Sequence, residues 1–326
     1  MGTIVDISRT AQRAAFSRRF ALGLLRPFTG LTLPIRVGAI AQTALSRWSV
    51  SSQPPKPMSK FRYLAACDRA HWMMLRESLF SLYQSWNSLP DVFVVSDGSW
   101  GPDEFAKVFG WWPTPITVLT REDVCLACYR ARFPELAEYA GQSIYGLCLA
   151  AKVTQAMQHP MLFVDADILW FRDPALLLGD PKSWVRPRAL QENNCFQRQD
   201  MALRYCAQVL EPPFVNAGIV ALHGELIAPG LLCSMVQDAL RNPQDASCEQ
   251  TIVATAVKLG GDFFPEKLSM IAVDDTFRIF IRDVKSEGYY SRHYVTPARQ
   301  LLYRDALKLR LSREKLGANK ESHVIN

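Results

Sequence analysis

The sequence has no uninterrupted apolar run of about 18 residues, which excludes a helix that spans a membrane. Acidic residues are nearly absent from positions 1–57, which contain eight Arg or Lys but only one acid, Asp6. The formal net charge of the whole chain is +6, so the remainder is close to neutral. The basic character therefore belongs to this leader, and the body is not expected to bind nucleic acid.

Closely spaced cysteines are also scarce, since Cys125 and Cys128 form the only CxxC pair among eight cysteines. Without a second pair, a zinc knuckle is disfavoured. The pair lies in a predicted helical stretch and not directly after a first strand, which argues against a thioredoxin-like role. We therefore expect buried free thiols and a reducing, cytoplasmic compartment.

What is present is an ordinary globular composition, with 49% apolar and 21% charged residues in a chain of 326. This length can bury a large core, as two domains or as one large α/β domain. The proline cluster in residues 51–57 predicts a stiff linker. We expect a basic extension and linker over 1–57, a main domain over 58–310 and a polar tail over 311–326.

Two interpretations of the leader stay open. It is either a loosely helical extension or a segment that contacts an anionic membrane surface, such as the inner face of a cytoplasmic membrane. The run Ser17–Leu22 has a faint likeness to a twin-arginine export signal, but Arg26, Pro27 and Pro34 interrupt the apolar region that such a signal needs.

From residue 60 onward, short apolar runs alternate with longer amphipathic ones. The pattern predicts strands over 61–67, 91–96, 115–119 and 161–164, with helices over 71–86 and 143–158. Strands separated by helices indicate an α/β fold with a mostly parallel, doubly wound sheet. Further along we expect a strand over 214–222 with a bulge at Gly218, a helix from 248 to 259, a strand over 277–281, extended chain over 289–295 and a helix over 297–310.

Acidic residues stand at the carboxyl ends of three predicted strands. They are Asp68, Asp97, Asp165 and Asp167. Ligands of doubly wound sheets bind outside these strand ends. The placement of the acids therefore predicts a ligand site at this edge of the sheet.

Asp165 and Asp167 form a DxD pair after the apolar run Met161–Val164. Carboxylates at i and i+2 of an extended chain point to the same side and repel each other unless a cation lies between them or one is protonated. Carboxylates and substrate phosphates are ligands that suit Mg²⁺ or Mn²⁺. The alternative is that the two acids cap the following helix.

The segment over 161–174, with its apolar strand, its DxD and the following Trp170-Phe171-Arg172-Asp173-Pro174, resembles that of nucleotide-diphosphosugar glycosyltransferases. It is most similar to the glycogenin-like and bacterial lipopolysaccharide-glycosyltransferase-like groups. The resemblance covers about residues 60 to 305. It implies a GT-A-like doubly wound mixed sheet flanked by helices, a Mn²⁺ or Mg²⁺ ion, and a nucleotide-diphosphosugar donor, with a UDP-sugar expected.

The resemblance extends to pieces that occur in the family's order. It implies a donor contact at Asp97 in Val94–Ser99, a basic residue at Lys152, a sugar-lining segment at Asn216-Ala217-Gly218, a sugar-orienting pair at Glu249-Gln250, and a further metal ligand at His293. Asp68 is expected to bind the donor because of its place after the first predicted strand. After His293 the chain lacks the Gly and Lys-Pro-Trp of the glycogenin-like group, so the subfamily and the stereochemical outcome stay open.

Each of these residues also has a structural interpretation. His293 could be a hydrogen-bonded core histidine, Glu249 an acid that favours a helix start, and Lys152 a cation that complements a helix end. Asp97 could begin a turn, and Asn216 with Gly218 could form only a bulge. The acidic pair Asp274-Asp275 could only cap a turn, and Trp111, Trp112 and Trp170 are expected in the core or at the rim of the site and not as a sugar platform.

The sequence thus predicts a metal-dependent glycosyltransferase that moves a sugar to a hydroxyl acceptor such as a glycan or a lipid. Two alternatives remain. One is a relative that binds nucleotide-sugars or glycans without transfer. The other is a phosphatase of the aspartyl-phosphate type, although the DxD of such enzymes follows the first strand and here it follows about the fourth.

Overall fold

The computed structural model describes residues 32–271, 287–295 and 298–321. The chain divides into two compact units. One comprises residues 1–48, 272–283 and 294–326, and the other comprises residues 49–271 and 284–293. The predicted strand over 277–281, the pair Asp274-Asp275 and the first 31 residues of the leader lie outside the described residues.

The described strands follow one another along the chain as β1 Met58–Cys67, β2 Leu89–Ser96, β3 Thr117–Leu119, β4 Met161–Val164, β5 Ile168–Trp170, β6 Arg188–Glu192, β7 Phe214–Leu222, β8 Asp262–Phe263, β9 Ser269–Ile271 and β10 Ser291–His293. The described α-helices are α1 Thr32–Ser46, α2 Trp72–Ser85, α3 Pro102–Phe109, α4 Arg121–Arg130, α5 Pro134–Gln142, α6 Ile144–Ala156, α7 Ala175–Leu178, α8 Gln199–Tyr205, α9 Pro229–Ala239, α10 Ala246–Gly260 and α11 Arg299–Glu321.

Within the described residues, the larger unit contains a seven-stranded sheet in the order β3-β2-β1-β4-β7-β6-β8. Strands β1 to β4 run parallel, whereas β7 runs antiparallel to both of its neighbours, β4 and β6. A three-stranded sheet in the order β5-β10-β9 accompanies it. The predicted doubly wound mixed sheet is therefore confirmed.

Alternation along the strands separates two hydrophobic clusters. Met161 and Phe163 of β4 belong to one cluster, with residues of α5, α6 and α10, whereas Leu162 and Val164 belong to the other, with residues of α2. Successive side chains of a strand point to opposite faces, so the sheet is covered by helices on both sides. This burial explains why β4 is apolar at every position.

The predicted elements match the observed ones closely in this unit. The strand over 214–222 is β7, and its pairing with β6 skips from Val220 to Asn216, which places the expected irregularity around Gly218. The sequence analysis missed the short strands β5, β6, β8 and β9, because two to five residues carry too little alternation to be recognised.

The smaller unit contains α1 and α11 in the described residues. The helices approach closely at Gly38, where an added Cβ atom would lie 2.2 Å from the carbonyl oxygen of Gln300. Asp305 accepts a hydrogen bond from the Tyr294 hydroxyl at 2.7 Å. Helix α11 continues to Glu321, past the boundary predicted at residue 310. The three-part division of the chain remains a prediction.

All eight cysteines lie in the described part of the chain, and all are free thiols, as expected. The expectation of burial is wrong for Cys195, which is exposed, and it holds only in part for Cys125, Cys148 and Cys233, which are half-buried. None of the described helices combines the length and the apolar character that are needed to cross a bilayer.

Strand β5, which follows the DxD, is anchored on α2. The Trp170 backbone N–H donates to the Ser81 hydroxyl at 2.9 Å, and its carbonyl accepts from the Ser85 hydroxyl at 2.9 Å. The Trp170 ring is fully buried and packs edge-on against Trp86, with ring centroids 5.0 Å apart. These contacts fix where the chain leaves the DxD.

Trp170→Ala is expected to lower the free energy of unfolding by about 3–5 kcal/mol, because it removes a large side chain from a closed core. Leu176→Ala, at a side chain that is 89% exposed, serves as the control and should change it by less than about 0.5 kcal/mol. Urea unfolding followed by circular dichroism measures both. Equal, small effects would show that β5 is not anchored as described.

Candidate metal centre

The DxD links the two sheets of the larger unit. Strand β4 ends at Val164, residues 165–167 turn, and β5 begins at Ile168 in the smaller sheet. The Asp165 backbone N–H donates to the carbonyl oxygen of Gly218 in β7 at 2.8 Å. The turn is thus held by the neighbouring strand, at the edge where the parallel strands end.

Strand β10 brings His293 to the same place. Its Nε2 atom lies 3.2 Å from Oδ1 of Asp167 and 3.5 Å from Oδ2 of Asp165. The side chains of Asp167 and His293 are 5% and 6% exposed, whereas that of Asp165 is 41% exposed. The three groups therefore form a pocket whose open side is at Asp165.

The close approach of two carboxylates raises the pKa values of groups in the pocket. Partial removal from water and the neighbouring Asp167 carboxylate raise the pKa of Asp165 to about 6. Burial alone would lower the pKa of His293, but the carboxylates of Asp167 and Asp165 outweigh it and raise the pKa above its ordinary value. In the metal-free protein, protons on these groups thus relieve the repulsion.

Asn216 and Gly218 of β7 complete the wall around His293. Asn216 Oδ1 lies 3.1 Å from Nδ1 of His293 and accepts the Gly218 backbone N–H at 2.8 Å. A Cβ atom added at Gly218 would lie 2.3 Å from Cε1 of His293. Only glycine leaves room for the imidazole ring at this position.

A buried ion pair lies near the acids. Lys152 of α6 pairs with Glu249 of α10, and its Nζ atom lies 3.6 Å from the centroid of the Phe163 ring. Both charges act on the Asp165 carboxylate. The next residue, Gln250, donates to the carbonyl oxygen of Val215 at 3.4 Å. The lysine therefore has an acidic partner of its own.

Asp68 and Asp97 follow β1 and β2 at the same edge of the sheet. Asp68 accepts from the backbone N–H of His71 at 2.8 Å and lies 2.6 Å from its ring Nδ1, and Asp97 accepts the Ser99 backbone N–H at 2.9 Å. Both side chains thus order their own loops, and neither belongs to the Asp165, Asp167 and His293 group.

The donor set fits a hard divalent ion. One ligand atom from each of Asp165, Asp167 and His293 lies within 4.8 Å of the other two, and this is the group with ion-binding geometry found among the described residues. Adjacent ligands of an octahedral ion with bonds of about 2.1 Å lie about 3 Å apart, close to the distances from Nε2 to the two carboxylates. Carboxylate oxygens suit Mn²⁺ or Mg²⁺, whereas an imidazole nitrogen suits transition-metal ions, so the mixed set favours Mn²⁺ over Mg²⁺.

The structure therefore brings together five of the residues singled out in the sequence: Asp165, Asp167, His293, Asn216 and Gly218. The sequence analysis missed Glu192 at the end of β6, which accepts a hydrogen bond from Asn216 Nδ2 at 2.7 Å. An acid closing the run Arg188–Glu192 is the available signal, and it is too weak to be noticed alone.

Comparisons with known proteins bear on the fold. No family model matches the chain, and a search of curated proteins found no match. Among solved structures, the galactosyltransferase LgtC in complex with donor and acceptor sugar analogues is similar, with a TM-score of 0.52 and 12% identity over 76% of this chain and 95% of that one. Mouse xyloside xylosyltransferase 1 in its apo form gives a TM-score of 0.48 and 12% identity over 72% and 97%.

These neighbours are glycosyltransferases, and the likeness to LgtC shows that the chain has a GT-A glycosyltransferase fold. The fold class expected from the DxD segment is confirmed. The comparison shows the fold alone, and the residues of the site are identified by their distances and burial.

Gly218→Ala is expected to weaken Mn²⁺ binding at least about tenfold, because the added methyl group displaces the imidazole of His293. Gly230→Ala makes the same change where no atom lies within 4 Å of the added Cβ, and it should bind Mn²⁺ like the wild type. Titration of free Mn²⁺ by electron paramagnetic resonance measures both affinities. Unchanged binding in a folded Gly218→Ala protein would contradict the placement of His293.

The pH dependence of stability follows from the two raised pKa values. The folded, metal-free protein binds protons at Asp165 and His293 more tightly than the unfolded chain does. Their stabilising contribution is therefore complete at acidic pH and is lost as the pH rises through about 6 at Asp165. Protons and Mn²⁺ compete, so the rise in melting temperature caused by Mn²⁺ should be larger at pH 7.5 than at pH 5.5.

Asp165→Asn is the matched variant for this measurement, since it removes the titrating carboxylate and keeps the shape. It should flatten both the pH dependence of the metal-free protein and the response to Mn²⁺. A Mn²⁺ effect that is equal at the two pH values in the wild type would contradict the proton competition.

Proposed function

We propose that the chain is a metal-dependent glycosyltransferase that moves a sugar from a nucleotide-diphosphosugar, with a UDP-sugar as donor, to a hydroxyl acceptor. The observation that carries the proposal is the group of Asp165, Asp167 and His293 at the carboxyl edge of the parallel strands in a GT-A fold. Ligands of doubly wound sheets bind at this edge.

Asp165, Asp167 and His293 would hold Mn²⁺ or Mg²⁺ together with the donor diphosphate. The bound ion would stabilise the charge that develops on the departing nucleoside diphosphate. The partly exposed side of the Asp165 carboxylate is the side from which a diphosphate can approach. The buried sides of Asp167 and His293 exclude water from the rest of the pocket.

Other residues are assigned by their position. Asp68 and Asp97 directly follow β1 and β2 at the same edge, and we assign them to the nucleotide. Glu249 and Gln250, at the start of α10, orient the sugar and the acceptor hydroxyl, and positioning supplies much of such a rate enhancement. Lys152 holds the Glu249 carboxylate through the buried ion pair.

The acceptor is a glycan, a lipid or another molecule with a free hydroxyl group. The free thiols favour a cytoplasmic location, and the basic residues of the leader favour contact with an anionic inner membrane surface, where each adds about 1 kcal/mol. The GT-A fold argues against the phosphatase alternative.

Asp167→Ala is expected to abolish sugar transfer and donor hydrolysis at saturating Mn²⁺, since it removes a buried ligand, while the fold survives. Asp103→Asn, at an exposed position in the first turn of α3, is the control and should keep full activity. The assay is release of the nucleoside diphosphate from a panel of UDP-sugars, with and without Mn²⁺. Transfer by Asp167→Ala would refute the assignment.

The same panel separates transfer from binding alone. A melting temperature that rises only when Mn²⁺ and a nucleotide-sugar are both present, together with release of nucleoside diphosphate, supports the proposal. The same rise without hydrolysis or transfer to any hydroxyl acceptor would favour a non-catalytic nucleotide-sugar-binding protein.

A further inference from the structure

A chain of buried hydrogen bonds leads from His293 to a carboxylate away from the metal ligands. His293 Nδ1 lies 3.1 Å from Asn216 Oδ1, and Asn216 Nδ2 lies 2.7 Å from Glu192 Oε2. His293, Asn216 and Glu192 are 4%, 4% and 5% exposed. The three side chains come from β10, β7 and β6, and the Asn216–Glu192 bond joins two neighbouring strands of the main sheet.

We propose that Asn216 and Glu192 are positioning residues that fix the imidazole of His293 with its hydrogen on Nδ1 and its Nε2 atom directed at the Asp165 and Asp167 carboxylates. The inference rests on the proposed function, because it requires that His293 is a metal ligand. It assigns a role to Glu192, and it gives Asn216 a role other than contact with the sugar.

The direction of each bond in the chain is fixed by a neighbour. The Gly218 backbone N–H can only donate, and it donates to Asn216 Oδ1 at 2.8 Å. Oδ1 is therefore the acceptor, and Nδ1 of His293 must donate to it. The amide nitrogen of Asn216 then faces Glu192, whose carboxylate accepts. The three bonds leave one consistent arrangement of hydrogens.

This arrangement leaves the Nε2 lone pair for a cation. The neutral imidazole, which is the form that binds a metal, carries one hydrogen. With that hydrogen on Nδ1, there is none on Nε2, which is the atom that lies 3.2 Å from Asp167 and 3.5 Å from Asp165. A metal-ligating histidine commonly donates its other N–H to an outer group that orients the ring. The absence of a side chain at Gly218 allows the ring to lie in this orientation.

The same bonds argue against direct contact between Asn216 and a sugar hydroxyl donor. Oδ1 of Asn216 already accepts from both His293 and Gly218, which fills its two acceptor sites. The amide is also locked by Glu192. Its geometry suits the support of another side chain.

Moving the carboxylate from position 192 to position 216 tests the direction of the hydrogen bonds between these residues. Asn216→Leu removes the acceptor for His293, and Asn216→Asp keeps an acceptor but sets a second carboxylate against Glu192. The double variant Asn216→Asp with Glu192→Gln restores every bond, because the new amide at position 192 donates to the new carboxylate at position 216. Asn242→Asp, in the turn after α9, is the control for the chemical change alone.

The test compares Mn²⁺ affinity, measured by electron paramagnetic resonance. Nitrogen ligation is measured by the ¹⁴N modulation of bound Mn²⁺. Wild type and Asn242→Asp should bind Mn²⁺ with ¹⁴N coupling. Asn216→Leu and Asn216→Asp should each bind at least about tenfold more weakly and with weaker coupling, and the double variant should return to within about threefold of wild type.

Circular dichroism establishes which variants fold. Wild-type affinity in folded Asn216→Leu, or a double variant that binds no better than Asn216→Asp, overturns the inference. If both single variants fail to fold, the double variant decides. Near-wild-type Mn²⁺ binding by the double variant supports the proposed hydrogen bonds from Glu192 through Asn216 to His293, and weak binding refutes them. Absence of Mn²⁺ binding in the wild type is a separate result, since it defeats the metal dependence in the proposed function and the inference with it.

Discussion

The repulsion between Asp165 and Asp167 is the constraint around which this part of the protein is organised. Two carboxylates at the end of a buried strand raise each other's free energy unless positive charge or a proton lies between them. The imidazole of His293 lies against both carboxylates, and the pKa of Asp165 is raised to about 6. A divalent ion relieves the same repulsion more completely, which is why the pocket is suited to one.

Backbone hydrogen bonds of the main sheet keep the two carboxylates close together despite their repulsion. The Gly218 carbonyl accepts the Asp165 N–H, and the Gly218 N–H donates to Asn216, so one residue of β7 orders both sides of the pocket. The missing side chain at Gly218 leaves space for His293. The irregular pairing of β6 with β7 occurs at the same point. A regular strand with a larger residue there could not bring the carboxylates and the imidazole together.

Much of this was predictable from the sequence. The apolar β4 with acids at its end, and the alternation of strands and helices, indicated the sheet and the edge where ligands bind. His293 could be placed only by resemblance, since a lone histidine in a short strand has no periodic signal. Glu192 was not predictable, because its importance depends on pairing between β6 and β7, which is set by tertiary packing. Lys152 illustrates the same limit, since its ion pair with Glu249 joins two helices that are far apart in the sequence.

The central claim is that Asp165 and Asp167 bind one divalent cation, which offsets their repulsion and also binds a diphosphate. The most direct measurement is a crystal structure of the protein with Mn²⁺ and uridine diphosphate, with data collected at the manganese absorption edge. The account predicts one anomalous peak bonded to carboxylate oxygens of Asp165 and Asp167, to Nε2 of His293 and to the diphosphate. A peak elsewhere, or His293 still lying against both carboxylates with no ion between them, would contradict it.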